Sequence, residues 1–290
     1  MRSNDIAKYI IEASGFSFND DLKIIGVGGG SINYAYRIQF GSEYIFVKLN
    51  QGVNDDFFEA ERKGLELLSK HSGFKIPKVF VSGTIGQHRF IAMEYINSSL
   101  KVANYWFQAG VTLAEMHKSS SEKYGLSFNN YMGSLPQKNS WTDKWADFFI
   151  EKRLRPQVDL AHNNGLMDVN HVKLFEKLYS IIESIVPEEV PSLIHGDLWN
   201  GNIMTDENGL ATIIDPAIHY GHRESDLAMT FMFGGFANEF YQGYSQTYPL
   251  QSDFSYRVGL YNLYPLLIHV NLFGTGYLGE TISTLKKYLN

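Results

Sequence analysis

The sequence predicts an α+β chain, with one antiparallel sheet and a helix in its first third and a mainly helical remainder. Three observations predict it. Tyr34, Tyr36, Ile38 and Phe40 alternate with Ala35, Arg37 and Gln39, the period-two pattern of a half-buried strand. Beyond residue 104, apolar residues recur at helical spacing in three stretches, marked by Trp106, Ala109, Leu113 and Met116, by Trp145, Phe148, Phe149 and Leu154, and by Leu174, Leu178, Ile181 and Ile185. Between the two patterns, Asn97-Ser98-Ser99 is a polar break. It places a boundary between an N-terminal domain, 1–96, and a C-terminal domain, 97–290.

The elements follow in order. Residues 21–25 form a strand that leads into GVGGGS, and residues 34–40 form the next. Gly41-Ser42 turns the chain, and residues 44–49 return as an apolar strand containing Lys48. A helix is expected over 54–70, capped among Asn54, Asp55 and Asp56. Its apolar stripe is Phe58, Leu65 and Leu68, and Glu61 falls on the same face. A carboxylate buried there needs a partner, because an unpaired buried charge is costly. Strands are expected at 78–83 and 90–95, then helices at 105–118, 141–160 and 171–186. The stretch SLIHGDLWNGNIM, residues 192–204, reads as a strand, a polar loop and the start of a second strand. Asp206-Glu207-Asn208-Gly209 is a turn, and a third strand over 210–214 ends at Asp215. Two or three helices finish the chain. The apolar stretch 260–272 contains Asn262, Pro265, His269 and Asn271, so it reads as a buried helix rather than a membrane span.

Composition narrows the function. The chain has 290 residues, 44% hydrophobic and 19% charged, with a formal net charge of −6. No basic run is present, which argues against nucleic acid as a partner. A mildly acidic surface tolerates a cationic substrate. There is no cysteine, so disulfides, thiolate metal sites and cysteine nucleophiles are excluded. The first residues carry neither a long apolar stretch nor a small-residue cleavage site, and a cytoplasmic location is expected.

The chemistry-bearing residues fall into two groups. GVGGGS precedes an alternating strand rather than a helix, which argues against a dinucleotide-binding loop. It fits a hairpin whose backbone can approach a polyphosphate, through Gly28, Gly29, Gly30 and Ser31. Lys48, thirteen residues before Glu61, would pair with that carboxylate and still reach phosphate oxygens. The second group is Asp197, Asn202 and Asp215. Phosphoryl transfer needs a carboxylate near the acceptor hydroxyl, and hard oxygen ligands for divalent ions. HGD, four residues, an Asn and a short hairpin ending in Asp supply both. His195 reads as a residue that bonds its own loop. His219 and His222 have the spacing of a metal pair on a helix, but no third ligand is evident, so they read as loop histidines. His117 ends a helix and reads as packing or capping. Asp226, in GHRESDLAM, reads as an acid anchoring the polar loop from below. The aromatic stretches 141–149 and 261–273 read as core.

Lys48, Glu61, HGDLWNGN and IDPA resemble the kinase-like fold of small-molecule phosphotransferases, with HGD where protein kinases carry HRD. GGGSINYAYRI, FVKLN, FEAERKGLELL, MEYI, GSLPQ, WADFFIEKRLRPQ, DPAIHYGHRESDLAM and LYPLLIHVNLFG resemble, in order and over nearly the whole chain, the fructosamine kinase (ketosamine-3-kinase) family. The resemblance implies a two-lobed protein-kinase-like fold and an ATP-dependent kinase that phosphorylates a sugar hydroxyl of a ketosamine, a step toward deglycation. The acceptor would be a small ketosamine or a glycated protein amine, with no nucleic acid or membrane involved. The resemblance implies ATP between the lobes, adenine against the backbone of Met93, Glu94 and Tyr95, and phosphates near Lys48. Asp197 would be the base, Asn202 and Asp215 the Mg2+ ligands, and Trp199 a contact to the sugar. Family members often carry Cys where Ser31 stands, so thiol control at that position is excluded here. Two other readings follow from the same residues: an aminoglycoside, choline-like or other amino-alcohol phosphotransferase, and an inactive nucleotide-binding scaffold.

Overall fold

A computed structural model describes residues 3–17, 21–28 and 32–289. By Cα proximity the chain divides into two compact units, Met1–Tyr105 with Ile203–Pro216, and Trp106–Asn202 with Ala217–Asn290.

The first unit opens with α1 (Ser3–Ala13), a helix that the sequence reading did not anticipate. It is amphipathic, and Ala7, Ile10 and Ile11 pack on one face of a sheet against Ile38, Phe40, Ile45, Val47, Phe90 and Ala92. The sheet contains β1 (Leu22–Val27), β2 (Tyr34–Phe40), β3 (Glu43–Asn50), β4 (Val79–Ile85) and β5 (His88–Glu94), in the order β1-β2-β3-β5-β4 with all neighbours antiparallel. Between β3 and β4 runs α2 (Phe57–His71). Successive strand residues point to opposite faces. Ile45 and Val47 therefore face α1, while Lys48, paired in register with Ala35 and Ile91, faces the other side.

A second piece of chain completes this unit. Strands β9 (Ile203–Thr205) and β10 (Ala211–Ile213) form an antiparallel hairpin, with Ile203 opposite Ile213. Tyr105 Oη donates to Met204 O at 3.0 Å, Ser99 Oγ to Asp206 O at 2.8 Å, and Lys75 Nζ to Glu207 Oε1 at 2.7 Å. Gly209 is required at the turn. Its φ is +80°, and a Cβ there would lie 2.6 Å from Leu100 O.

The second unit contains α3 (Tyr105–His117, which begins one residue earlier), the hairpin β6 (Asn130–Met132) and β7 (Leu135–Gln137), α4 (Trp145–Phe148), α5 (Arg155–Asn163), α6 (Val169–Tyr179), α7 (Ile182–Ile185), and β8 (Ser192–Ile194) paired with β11 (His219–Gly221). It ends with α8 (Glu224–Met229), α9 (Asn238–Thr247), α10 (Phe254–Phe273) and α11 (Leu278–Lys286). Residues of α4, α5, α6, α8, α10 and α11 share one core. Among the described residues, no helix is long and apolar enough to cross a membrane.

Three expectations need correction. The helix expected over 141–160 is interrupted by a wide π-helical turn, Phe149–Leu154, joining α4 to α5. That turn carries Arg153 into the interior, where its guanidinium donates to Lys138 O at 2.8 Å, Lys152 O at 3.0 Å and Asn139 Oδ1 at 2.6 Å. The helix expected over 171–186 starts earlier, because Asp168 caps it through Asn170 N–H and His171 N–H, and it breaks into α6 and α7. His219 lies on strand β11 rather than in a loop, while His222 lies in the short connection after it, as expected; both are buried.

Candidate active site

The alternation of β3 sends Lys48 toward α2, where the stripe containing Phe58, Leu65 and Leu68 brings Glu61 to the same side. Lys48 Nζ donates to Glu61 Oε1 at 2.7 Å and also bonds Asp215 Oδ1. Lys48 is almost fully buried, and burial alone would discharge it. The charges of Asp215 and Glu61 outweigh that effect and raise its pKa above the ordinary value, so it remains an ammonium. Burial pushes Glu61 upward, against the pull of Lys48. An ammonium has three N–H donors, and two are committed here, so the third is available to an anionic oxygen. Asp215 is the more open of the two acids, with 42% of its side chain exposed. It adopts φ +55°, a conformation that Asp tolerates better than most residues, as the chain leaves β10.

The glycine run meets this picture only in part. Gly28 follows β1 directly and has open space around its Cα. Gly29, Gly30 and Ser31 lie outside the described residues. Met93 and Glu94 end β5, and Glu94 Oε1 lies 3.0 Å from Lys75 Nζ. Tyr95 follows, its ring 6.1 Å from that of Tyr44, with the Arg37 guanidinium near both.

In the second unit, β8 delivers His195, Gly196 and Asp197. Asn202 Nδ2 donates to Asp197 O at 2.8 Å and to Asp197 Oδ2 at 3.0 Å. That orients the amide, because the N–H2 group is committed to Asp197 and the oxygen points elsewhere. Amide and carboxylate oxygens are the donors that Mg2+ prefers, and Asn202 and Asp215 each carry a donor of that type. Lys48, with its spare donor, fits a phosphate.

The loop itself is held from inside. Asp226 Oδ2 accepts His195 N–H at 2.6 Å, and Oδ1 accepts Gly196 N–H at 2.8 Å. His195 Nδ1 accepts Asp197 N–H at 3.2 Å, the loop-bonding role read from the sequence. Gly196 has φ +81°, and a Cβ would lie 2.2 Å from Ala217 O, so only glycine lets the loop run this close to the chain after Pro216. Trp199 folds over Gly201, where a Cβ would meet its ring at 2.3 Å. Its ring meets Phe233 edge-on with centroids 5.6 Å apart, and Phe233 lies 5.0 Å from the ring of His269.

Sequence reasoning missed the support behind Asp226. His117, expected to pack or cap, is fully buried and places Nε2 3.2 Å from Asp226 Oδ2 and Nδ1 2.8 Å from Tyr244 Oη. Arg223 reaches the same Tyr244 hydroxyl and forks onto Glu189 at 2.8 and 2.6 Å. His117 and Tyr244 stand 127 positions apart, so no local spacing could have paired them.

A second buried network gives the motif GSLPQ its physical meaning. Gln137 Nε2 donates to Asn130 Oδ1 at 2.8 Å and to Ala217 O at 3.1 Å, while Tyr264 Oη donates to Gln137 Oε1 at 2.8 Å. Asn130 Nδ2 donates to Ile218 O at 2.8 Å, and Asn139 joins Asn130 to Arg153. These side chains fix the backbone that follows Asp215-Pro216.

A five-stranded antiparallel sheet with a Lys–Glu pair, and a helical unit bearing the HGD loop, define a two-lobed phosphotransferase of the protein-kinase-like class. A thermostable mutant of an aminoglycoside phosphotransferase, solved with ADP and hygromycin B, shares this fold at a TM-score of 0.61 and 14% identity, covering 97% of this chain and 98% of its own. More particularly, the chain belongs to the fructosamine kinase family, whose model matches residues 2–290. It is 37% identical over 285 residues to a Synechocystis sp. protein named as a probable ketoamine kinase, covering 98% of this chain and 96% of that one. It is 37% identical over 274 residues to the chloroplastic protein-ribulosamine 3-kinase of Arabidopsis thaliana, covering 92% and 82%. The crystal structure of a fructosamine-3-kinase family member from Thermobifida fusca superposes with a TM-score of 0.87 at 31% identity, covering 99% of both chains.

Proposed function

We propose that this chain is an ATP-dependent, Mg2+-requiring kinase that phosphorylates a sugar hydroxyl of a ketosamine of the ribulosamine or fructosamine type, in the cytoplasm. The observation that carries the reading is the Asp197–Asn202 pair, a carboxylate and an amide joined at 3.0 Å on a loop anchored by Asp226. In this reading Asp197 accepts the proton of the attacking hydroxyl through the oxygen not bonded to Asn202. Lys48, kept cationic, orients phosphate oxygens, and Glu61 fixes Lys48. The backbone of Gly28, Gly29, Gly30 and Ser31 approaches the polyphosphate, and that of Met93, Glu94 and Tyr95 receives the adenine. Asn202 and Asp215 hold the metal, which neutralises phosphate charge when bound. The Trp199 ring offers an apolar face to the sugar.

The test is an ATP-consumption screen over ribulose-, erythrulose- and fructose-amine adducts, with the phosphate position of the product assigned. Turnover of at least one adduct is expected, and Asp197→Ala should lower it roughly 10²- to 10⁴-fold, the usual weight of a positioned acid–base group. Full activity of that variant would remove Asp197 from the role of base. Phosphorylation of an aminoglycoside and of no sugar adduct would overturn the substrate class. Mg-ATP binding without transfer to any acceptor would leave an inactive scaffold.

A further inference from the structure

A small cavity with a largely apolar wall, bearing a few polar groups, lies under the HGD loop, inside the second unit. Its volume is about 30 Å³, and its wall includes Gly196 and Asp226 from the loop and its anchor. Trp145, Arg153, Ser225 and Tyr261 also line it. Each of these four has a buried polar atom without a hydrogen-bond partner among the described residues: Trp145 Nε1, Arg153 Nε, Ser225 Oγ and Tyr261 Oη. Trp145, Arg153 and Tyr261 are each at least 95% buried. Buried polar groups in folded proteins almost always find partners, so four orphans among the residues that line one cavity call for an occupant.

The chemistry of the wall says what kind. All four orphans carry a hydrogen to donate. Arg153 is a buried cation with no carboxylate among its partners, which are two backbone carbonyls and Asn139 Oδ1. Burial lowers its pKa to about 10. Asp226, the acid on the wall, is already engaged by two backbone N–H groups and His117. An occupant that only accepts hydrogen bonds, and brings negative charge to Arg153, matches this wall. The volume suits one monatomic anion or about two waters. Two waters would leave the Arg153 charge without a counter-ion; an anion supplies one.

We propose that this cavity is a buried site for a small monovalent anion of the halide class, held by Arg153, Trp145, Ser225 and Tyr261, which stiffens the HGD loop from beneath through the shared wall at Gly196 and Asp226. None of the lining residues is among those assigned to nucleotide or metal, and the proposal does not depend on the substrate assignment.

Bromide is the probe. Crystals of the full chain equilibrated with bromide should show an anomalous peak in the cavity, in contact with the four donors. In solution, the melting temperature should rise with chloride or bromide and not with gluconate at equal ionic strength, because only a ligand of the native state stabilises it by mass action. Tyr261→Phe and Ser225→Ala each remove one donor with little change in shape, and each should weaken the halide response several-fold. Two ordered waters with no anomalous signal would overturn the proposal. So would a peak seen only at molar bromide together with no halide-specific shift in solution, the mark of an adventitious ion only. An unchanged halide response in both variants would overturn it as well.

Discussion

Asp226 receives the backbone N–H groups of His195 and Gly196 on its two carboxylate oxygens, at 2.6 and 2.8 Å, from 31 and 30 positions further along the chain. A buried carboxylate holding two backbone donors sets the path of the loop that ends in Asp197. Asp226→Asn keeps the shape but replaces one acceptor oxygen by an N–H2 group that faces a donor. Losing one charge-assisted bond and opposing another should cost about 2–4 kcal/mol of stability. Turnover should fall about 10- to 100-fold even where the variant is folded, since a misplaced base costs roughly a decade per 1.4 kcal/mol. Urea unfolding and kcat, measured on the same preparation, check both. Wild-type kcat in a folded Asp226→Asn protein would show that the anchor does not position the loop.

Lys48 lies between Glu61 and Asp215, and the two acids are not equivalent. Glu61 is the more buried, so removing the lysine strands a carboxylate inside the sheet–helix contact. Lys48→Met should therefore destabilise the fold by about 3–5 kcal/mol, the usual cost of halving a buried pair. Glu61→Gln leaves Lys48 bonded to Asp215 and should cost clearly less. The sign of the pH effect follows from the raised pKa of Lys48. Its contribution is complete below the ordinary lysine value of 10.5 and is lost only as pH rises above it. Unfolding of wild type and Lys48→Met between pH 7 and 9 should thus give a constant difference, and a difference that shrinks over that interval would contradict a cationic Lys48.

Two histidines make stability depend on pH in another window. Burial lowers the pKa of His222, and burial with the Arg153 charge lowers that of His219 well below the ordinary 6.5. Their folded pKa values lie under the unfolded ones, so the stability they support is complete above about pH 6.5 and declines as pH falls below it. Two such rings would remove about 2–3 kcal/mol between pH 7.5 and 5.5. Most carboxylates titrate lower, so the window is largely free of them. Equal denaturant midpoints at pH 7.5 and 5.5 would refute neutral buried imidazoles.

The legible part of this molecule was the part written in local pattern. The alternation of residues 34–40 gave β2, and the stripe through Phe58, Leu65 and Leu68 placed Glu61 on the buried side of α2, hence opposite Lys48. Asp197 and Asn202 were close in sequence, and a side-chain contact between them needed only one turn of loop. What pattern could not show was long-range. The return of residues 203–216 to the first unit rests on Ser99, Tyr105 and Lys75, each about a hundred residues or more from its partner. The π-helical turn leaves the apolar spacing of residues 145–154 intact, so a helical reading passes over it; only the buried bonds of Arg153 explain the extra width. The β6–β7 hairpin, three residues a side, is too short to display a period.

Gly110 shows where local propensity misleads. It sits inside α3, where alanine would ordinarily gain about 1 kcal/mol in helix propensity. In the fold, however, a Cβ at Gly110 would lie 1.9 Å from Phe240 O and 2.9 Å from Tyr244 N, both backbone atoms of α9. The contact is reciprocal, since a Cβ at Gly243 on α9 would lie 2.2 Å from Phe107 O on α3. Neither helix can yield by a rotamer change, so the two backbones must separate. His117 and Tyr244 sit on these same helices, and their bond is part of the support for Asp226. Gly110→Ala should therefore destabilise by about 1–3 kcal/mol or more, reversing the sign expected from propensity. It should also lower kcat, by loosening the Tyr244–His117–Asp226 chain. Gly279, in the first turn of the last helix and with open space where a Cβ would lie, provides the control: Gly279→Ala should be neutral or mildly stabilising. If the two substitutions raised stability alike in urea unfolding, the close approach of α3 and α9 would be wrong.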